Sequence, residues 1–276
     1  TEWLRGSGPD ADVVVSSRIR LARNLAGFPF ISKLAKEEEE DIIDLVEQSR
    51  SRTRSLKDTF FVRYRDVTEL DKQFLLERHL ISREHAVEQG EKAVAVSPNE
   101  VVSVMILEED HLRLQIFQSG LNLTETWRIT EEIINELESS LPFSFHADLG
   151  YLTACPTNVG TGIRASCMLH LPSLVLTKQV NKVLAALAKL NLATRGLYGE
   201  GSQAAGNFFQ ISNQITLGQK EEEIISGLEK VIRQMIAHEK EARQYLLEKR
   251  KSKFEDQIWR ALGTLRSARV ISSGEA

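Results

Sequence analysis

Runs of apolar residues separated by polar turns divide the chain into alternating strands and helices. Val13 to Val15 favour a buried strand, because β-branched side chains fit a pleated sheet. Similar strand patterns cover residues 59–64, 92–97, 101–107, 163–171, 192–197 and 207–213. Apolar residues at helical spacing predict helices at about 37–50, 70–77, 121–141, 177–190, 221–251 and 254–265. The acidic residues 37–41 form the first turn of the first of these helices.

Composition sets limits on the class of protein. A chain of 276 residues can bury a sizeable core, as one large domain or two small ones. The formal charge of -4 gives no general case for binding nucleic acid or anionic membranes. Two cysteines do not form a secreted disulfide framework, so a reducing cytoplasm is predicted. No apolar run approaches the length needed to cross a bilayer, and no signal peptide is present. The sequence does not begin with Met, so the chain could be a fragment.

The stretch from Cys155 to Pro172 combines a turn-rich loop with a strand. Gly160 and Gly162 permit backbone conformations closed to other residues, and Arg164 stands where the strand begins. Backbone N–H groups and a guanidinium that converge in this way suit an anion such as phosphate. The alternative interpretation is a tight hairpin turn with one surface arginine.

Two further clusters of charge lie on predicted strands. Arg18 and Arg20 project from the same strand face, where they repel each other unless an anion lies between them. The alternative for this pair is a solvated basic edge strand. Glu108, Glu109 and Asp110 are three consecutive carboxylates at a strand end, which is costly unless cations or solvent balance them. A solvated acidic turn is the alternative there.

These motifs resemble those of the phosphagen, or guanidino, kinases. The loop Cys155-Pro-Thr-Asn-Val-Gly-Thr161 is similar to the family signature, and Arg164-Ala-Ser166 is similar to the phosphate-binding segment that follows it. Residues 16–20 resemble the phosphate-binding strand, and residues 107–113 resemble the family's N-E-E-D-H-L-R, with Leu107 in place of the usual Asn. Residues 194–202 resemble the flexible segment that closes over the substrates.

The resemblance implies a fold and a division into domains. The expected fold is α+β, an antiparallel sheet of about eight strands flanked by helices, with a helical C-terminal extension. Residues 1–252 would form the catalytic domain, and residues 253–276 would begin a truncated helical C-terminal domain.

The resemblance also implies roles for individual residues. Glu109 would be the base and Glu200 would orient the guanidinium, although which of the two takes the proton stays open; Cys155, as a thiolate, would help to polarise the guanidinium. ATP with Mg²⁺ is the implied cofactor, and no residue is assigned as a metal ligand. The implied nucleotide-binding residues are Ser16, Ser17, Arg18, Ile19, Arg20, His79, Arg113, Arg164, Ala165, Ser166, Cys167, Met168, Arg195, Gly196, Leu197, Tyr198, Gly199 and Glu200. Five of these are arginines expected to converge on one pocket and to offset phosphate charge.

The substrate is predicted from a missing part. Small-molecule guanidino kinases carry a helical N-terminal domain that covers the substrate, whereas this chain begins shortly before the first predicted strand. The site is therefore expected to accept an arginine carried on a protein, as in the bacterial branch of the family that phosphorylates protein arginines. That likeness implies as partners a heat-shock repressor, unfolded proteins, an activator protein, a Clp unfoldase and a second copy bound through the C-terminal domain. The alternatives are a free-arginine kinase without its N-terminal domain and an inactive adaptor.

Overall fold

A computed structural model of the protein describes residues 2–87, 90–196 and 205–272. Within these ranges the chain forms ten strands: β1 (Val14–Arg23), β2 (Phe60–Arg63), β3 (Ala93–Val96), β4 (Val102–Ile106), β5 (Leu112–Ser119), β6 (Phe145–His146), β7 (Gly150–Tyr151), β8 (Ile163–His170), β9 (Leu192–Gly196) and β10 (Phe208–Asn213). The α-helices of the same ranges are α1 (Lys36–Arg52), α2 (Glu69–Glu77), α3 (Arg83–Val87), α4 (Leu123–Glu138), α5 (Pro172–Leu176), α6 (Val180–Lys189), α7 (Glu221–Lys249) and α8 (Lys251–Ser267).

Eight of the strands form one antiparallel sheet. Their order is β2-β3-β4-β5-β1-β8-β10-β9, so the first strand of the chain lies in the interior of the sheet. The strands β6 and β7 form a separate small hairpin. The predicted α+β fold, an antiparallel sheet of about eight strands flanked by helices, is confirmed.

The two faces of the sheet differ in character because side chains alternate along a strand. On β1 the side chains of Ile19 and Leu21 are buried in the main core. Helices α4 and α7 contact this face, and they contribute apolar residues such as Leu123 and Leu228 to the same core. Arg18 and Arg20, at the intervening positions of β1, belong to the opposite face. This second face carries the candidate site.

Several elements depart from the sequence pattern. Pro172 occupies the first turn of α5, where a missing N–H costs nothing, although the sequence pattern predicts no helix before residue 177. The buried carboxylate of Glu239 on α7 accepts hydrogen bonds from the N–H groups of Ser173 and Leu174, both at 2.9 Å. This contact satisfies the N-terminus of α5 from a distant helix, which a local pattern cannot indicate. Helix α3 and the β6–β7 hairpin were not predicted.

The C-terminal helices lie on both sides of the predicted domain boundary. Helix α7 is amphipathic and buries a row of residues against the core, whereas no described residue of α8 is buried. The boundary between residues 252 and 253 stays a prediction. A search of the described helices finds none that is long and apolar enough to cross a membrane.

Candidate active site

The register of three central strands brings distant charged residues onto one face. Arg20 of β1 lies opposite Arg164 of β8, and Arg18 lies opposite Ser166. On the other side of β1, Ala22 lies opposite Arg113 of β5. Residues directly opposite each other on adjacent strands point to the same face. The sheet therefore gathers arginines from segments almost 150 positions apart in the sequence.

A polar cavity of about 250 Å³ opens on this face. It is lined by Arg20, Ala22, Glu108, Glu109, Asp110, Arg113, Cys155, Thr157, Asn158, Gly162, Arg164 and Arg195. Four of the five arginines expected to converge are among these residues. The fifth, Arg18, lines an adjoining cavity.

The arginine cluster suits an anion on electrostatic grounds. Burial, together with repulsion from Arg113, Arg164 and Arg195, lowers the pKa of Arg18 to about 9. Burial, together with repulsion from Arg18 and from the same three arginines, lowers the pKa of Arg20 well below its usual value. The buried Nε of Arg20 has no hydrogen-bond partner among the described residues. A polyphosphate would relieve this repulsion and supply acceptors for the guanidinium groups.

Glu108 forms a buried ion pair with Arg113, and its side chain is only 2% exposed. Its carboxylate also accepts a 2.6 Å hydrogen bond from Ser82 Oγ and one of 2.8 Å from the N–H of Glu109. Burial acts to raise the pKa of Glu108, but the Arg113 charge and these hydrogen bonds outweigh it and lower the pKa to about 2. Glu108 is therefore ionised and holds Arg113 in place. The sequence interpretation gave Glu108 no role of its own.

The next two carboxylates differ from Glu108. Partial burial and repulsion from Asp110 and Glu108 raise the pKa of Glu109, although its side chain is solvent-exposed. A hydrogen bond with Cys155 acts in the opposite direction. Asp110 is buried and accepts 2.6 Å hydrogen bonds from Asn24 Nδ2 and from the N–H of Ala154. Glu109 is thus the accessible carboxylate, while Asp110 ties the signature loop to the sheet.

The signature loop is fixed from behind. Its Cys155 Sγ lies 3.0 Å from Thr157 Oγ1, and a short 3₁₀ turn follows over Pro156–Asn158. The hydroxyl of Thr216 donates to the carbonyls of Thr157 and Val159, at 3.0 and 2.7 Å. Gly160 has φ of 110°, and a Cβ there would lie 2.4 Å from the carbonyl oxygen of Thr216. Only glycine permits this approach.

A larger, mainly apolar cavity of about 510 Å³ adjoins the arginines. It is lined by Trp3, Leu4, Val15, Ser16, Arg18, Glu77, Arg78, His79, Phe117, Ser166, Met168, Phe208 and Gln210. The ring of Trp3 stacks on Phe117 at 5.5 Å and meets His79 edge-on at 5.5 Å. Burial, with repulsion from nearby arginines, lowers the pKa of His79. A flat aromatic base fits such a wall, and the cationic end of the cavity continues toward the polar one.

Five of these lining residues were predicted from the sequence, and the others were not. Ser16, Arg18, His79, Ser166 and Met168 line the apolar cavity, and their role in nucleotide binding stays a prediction. The aromatic wall of this cavity was missed. Of the aromatic residues in this wall, the sequence could have indicated only Phe117. It lies four residues after Arg113 on the same strand and therefore on the same face of the sheet.

Four predicted residues lie on the other face of the sheet. The side chains of Ser17, Ile19, Ala165 and Cys167 are fully buried there, and the Ser17 hydroxyl donates to the carbonyl of Gly120 at 2.8 Å. Strand alternation therefore keeps these side chains out of both cavities, and any ligand contact would come through their backbone. This corrects the expectation for their side chains.

The remaining predicted residues lie at the end of β9 and directly after it. Gly196 ends β9 opposite Phe209 of β10 and lines neither cavity. Leu197, Tyr198, Gly199 and Glu200 lie outside the described residues.

Comparison with known proteins identifies the architecture. The model of the ATP:guanido phosphotransferase C-terminal catalytic domain matches residues 41–242. The chain belongs to this family. The phosphotransferase is 48% identical to a protein-arginine kinase of Symbiobacterium thermophilum over 282 residues, which covers 100% of this chain and 79% of that protein. A protein-arginine kinase of Moorella thermoacetica is likewise 48% identical, over 279 residues, with 100% and 80% covered.

A solved structure shows the same fold. The substrate-free duplicated taurocyamine kinase from Schistosoma mansoni superposes with a TM-score of 0.75 at 25% identity. The match covers 90% of this chain and 37% of that longer, duplicated protein. The resemblance to guanidino kinases predicted from the motifs is confirmed, and the chain is an enzyme of the phosphotransferase class.

Proposed function

We propose that this phosphotransferase transfers the γ-phosphoryl group of Mg-ATP to the guanidinium of arginine residues in proteins. The supporting observation is the polar cavity, in which Arg20, Arg113 and Arg164 lie beside the accessible carboxylate of Glu109. A cavity with both charges can hold an anionic donor and a cationic acceptor side by side. The relatives named protein-arginine kinase, which align along the whole chain, support arginine as the acceptor.

The two cavities suggest how ATP lies on the sheet. The base would occupy the apolar cavity beside Trp3 and Phe117, and the phosphates would pass Arg18 toward Arg20. The described residues include no group of three or more His, Cys, Asp or Glu side chains that could hold a metal ion. Mg²⁺ commonly binds through substrate phosphates and keeps several waters, which fits this donor set. When bound, Mg²⁺ would neutralise charge on the transferring group.

Glu109 would align the acceptor and remove its proton. An arginine guanidinium is a poor nucleophile while protonated, since its pKa exceeds about 12. A carboxylate whose own pKa is raised is a better base than an ordinary one, provided that it touches the acceptor nitrogen. Cys155, which lines the polar cavity together with Glu109, would lie against the same guanidinium. Glu200 would supply a second carboxylate.

The biological setting is part of the same proposal. The proposed protein substrates are a heat-shock repressor and unfolded proteins. The other proposed partners are an activator protein, a Clp unfoldase and a second copy of the chain. The proposed location is the cytoplasm. The alternatives are a free-arginine kinase and an inactive adaptor.

One assay separates these functions. The chain with Mg-ATP is offered an arginine within a flexible polypeptide or, separately, free L-arginine. We expect a higher kcat/KM for the polypeptide, because the rest of the substrate docks on the enzyme and positions the guanidinium. Mass spectrometry under non-acidic conditions, which spare the P–N bond, detects the product. A higher kcat/KM for free arginine would replace this proposal with the free-arginine kinase, and no turnover of either would favour the adaptor.

A further inference from the structure

A surface groove of about 510 Å³ lies beside the signature loop, between the β6–β7 hairpin and the segment that precedes α7. Three large apolar side chains on its lining are exposed: Phe145 is 61% exposed, Leu149 43% and Leu217 48%. We call this feature the hairpin groove. Clustered exposed apolar side chains of this kind commonly mark binding surfaces.

The wall of the groove is ordered by contacts within the protein. The ring of Tyr151 meets Phe145 edge-on at 5.2 Å, and the Arg23 guanidinium lies 3.4 Å from the centroid of the same ring. Arg23 also donates a 2.9 Å hydrogen bond to the carbonyl of Thr161. The aromatic pair is therefore held against the sheet, and a ligand would meet a preformed surface.

The groove and the polar cavity share the signature loop. Thr157 and Asn158 line the polar cavity, whereas Gly160 and Thr161 line the groove. Consecutive Cα atoms are about 3.8 Å apart, so Asn158 and Gly160 are separated by at most about 7.6 Å. An extended polypeptide advances about 3.4 Å per residue. A substrate with its arginine in the polar cavity would thus bring a residue about two or three positions away to the groove.

The charges around the groove favour a basic segment. Asp148, Glu221 and Glu223 line it together with a single cation at the surface, Lys220. The acidic excess complements a polypeptide that carries arginine, and it disfavours an acidic one.

We propose that the hairpin groove binds an apolar side chain two or three residues from the target arginine, in an extended and basic segment of the protein substrate. This inference rests on the proposed function. It makes the groove a selector of sequence context, while the polar cavity selects arginine itself. A free amino acid would gain nothing from it.

The test uses two peptides that each carry one arginine, flanked in one by leucines and in the other by serines. The double variant Phe145→Ser with Leu217→Ser is compared with the wild type and with the control Leu247→Ser. Leu247 is 46% exposed but lies near the far end of α7, roughly 40 Å along the helix from Glu221. Thermal unfolding verifies that each variant is folded.

We expect the wild type to prefer the leucine peptide. In the double variant, KM for that peptide should rise about tenfold, which corresponds to about 1.4 kcal/mol. The KM for ATP and the kinetics with the serine peptide should not change, and Leu247→Ser should behave as wild type.

The proposal is overturned if the folded double variant keeps the wild-type KM for the leucine peptide, or if the wild type does not distinguish the peptides. Phosphorylation of both peptides in that case leaves the proposed function standing. Phosphorylation of free arginine alone removes both proposals. A loss of self-association in the double variant, with unchanged peptide kinetics, would assign the groove to a second copy and likewise overturn the inference.

Discussion

Replacing Arg113 by Met should destabilise the fold strongly, because the change leaves the Glu108 carboxylate buried without its cation. In the wild type the pKa of Glu108 falls from 4.5 to about 2. At about 1.4 kcal/mol for each pKa unit, the ionised form gains about 3 kcal/mol from the folded environment. Removing one partner of a buried pair typically costs about 3 to 5 kcal/mol, which agrees with this figure. The double variant Arg113→Met with Glu108→Gln should recover much of the loss.

The pH dependence of stability provides a second measurement, because it has opposite signs in the wild type and in Arg113→Met. In the wild type the lowered pKa of Glu108 adds stability above pH 4.5, and this contribution is lost as the pH falls from 4.5 to about 2. Without Arg113, burial dominates and raises the pKa of Glu108, so that the folded state binds the proton more tightly than the unfolded state. The variant should therefore become less stable as the pH rises above 4.5, relative to wild type.

Urea unfolding of the two single variants and the double variant, at pH 7 and pH 5, measures both effects. Arg63→Met is the matched control. Arg63 pairs with Asp44 and Glu47, whose side chains are 55% and 40% exposed, and such surface pairs contribute up to about 1 kcal/mol each. Equal losses for Arg113→Met and Arg63→Met, or simple additivity in the double variant, would refute the buried-pair interpretation.

Three further predictions concern the signature loop and its carboxylate. Glu109→Gln should lower kcat about 10² to 10⁴-fold with ATP binding retained, and an unchanged rate would remove Glu109 as the base. In the wild-type enzyme, kcat/KM should fall at acid pH with an apparent pKa above 4.5, because burial raises the pKa of Glu109. Gly160→Ala should lower the melting temperature more than Gly218→Ala. Both glycines have positive φ, but only at Gly160 would the added Cβ collide with backbone atoms. Equal losses of stability would contradict this prediction. Iodoacetamide should label Cys155 alone in the folded protein, because Cys167 is buried and burial raises the pKa of its thiol to about 12. Rapid labelling of both cysteines, detected by mass spectrometry, would contradict this prediction.

The fold and the charged half of the site were predictable because their determinants are local. Alternation along β1 placed Arg18 and Arg20 on one face before any partner strand was known. The same rule, applied strictly, would also have removed Ile19 from the list of side chains facing a ligand. A resemblance between motifs assigns a role to every residue of a segment and does not separate the two faces of a strand, so Ile19 stayed among the predicted residues.

What could not be predicted depends on contacts between distant segments. The Trp3 side chain joins the apolar cavity because a short turn folds back against β5. The pairing of Glu108 with Arg113 depends on the turn between β4 and β5, in which Leu107 adopts φ of 61°. Asn tolerates that conformation better than Leu does, so the substitution at residue 107 bears on backbone strain.

The interior position of β1 has a consequence for how the protein is made. This strand precedes the other described strands in the chain, yet Leu21 pairs with Ile163 and Ser16 with Ser119. At about 5 to 20 residues per second, the interval between the two halves of the β1–β8 ladder is on the order of 10 s. During that time β1 lacks its β8 neighbour, and an unpaired strand edge of this kind is prone to wrong pairing. A nascent chain that ends before β8 has neither the complete sheet nor the complete lining of the polar cavity, since Arg164 lies on β8.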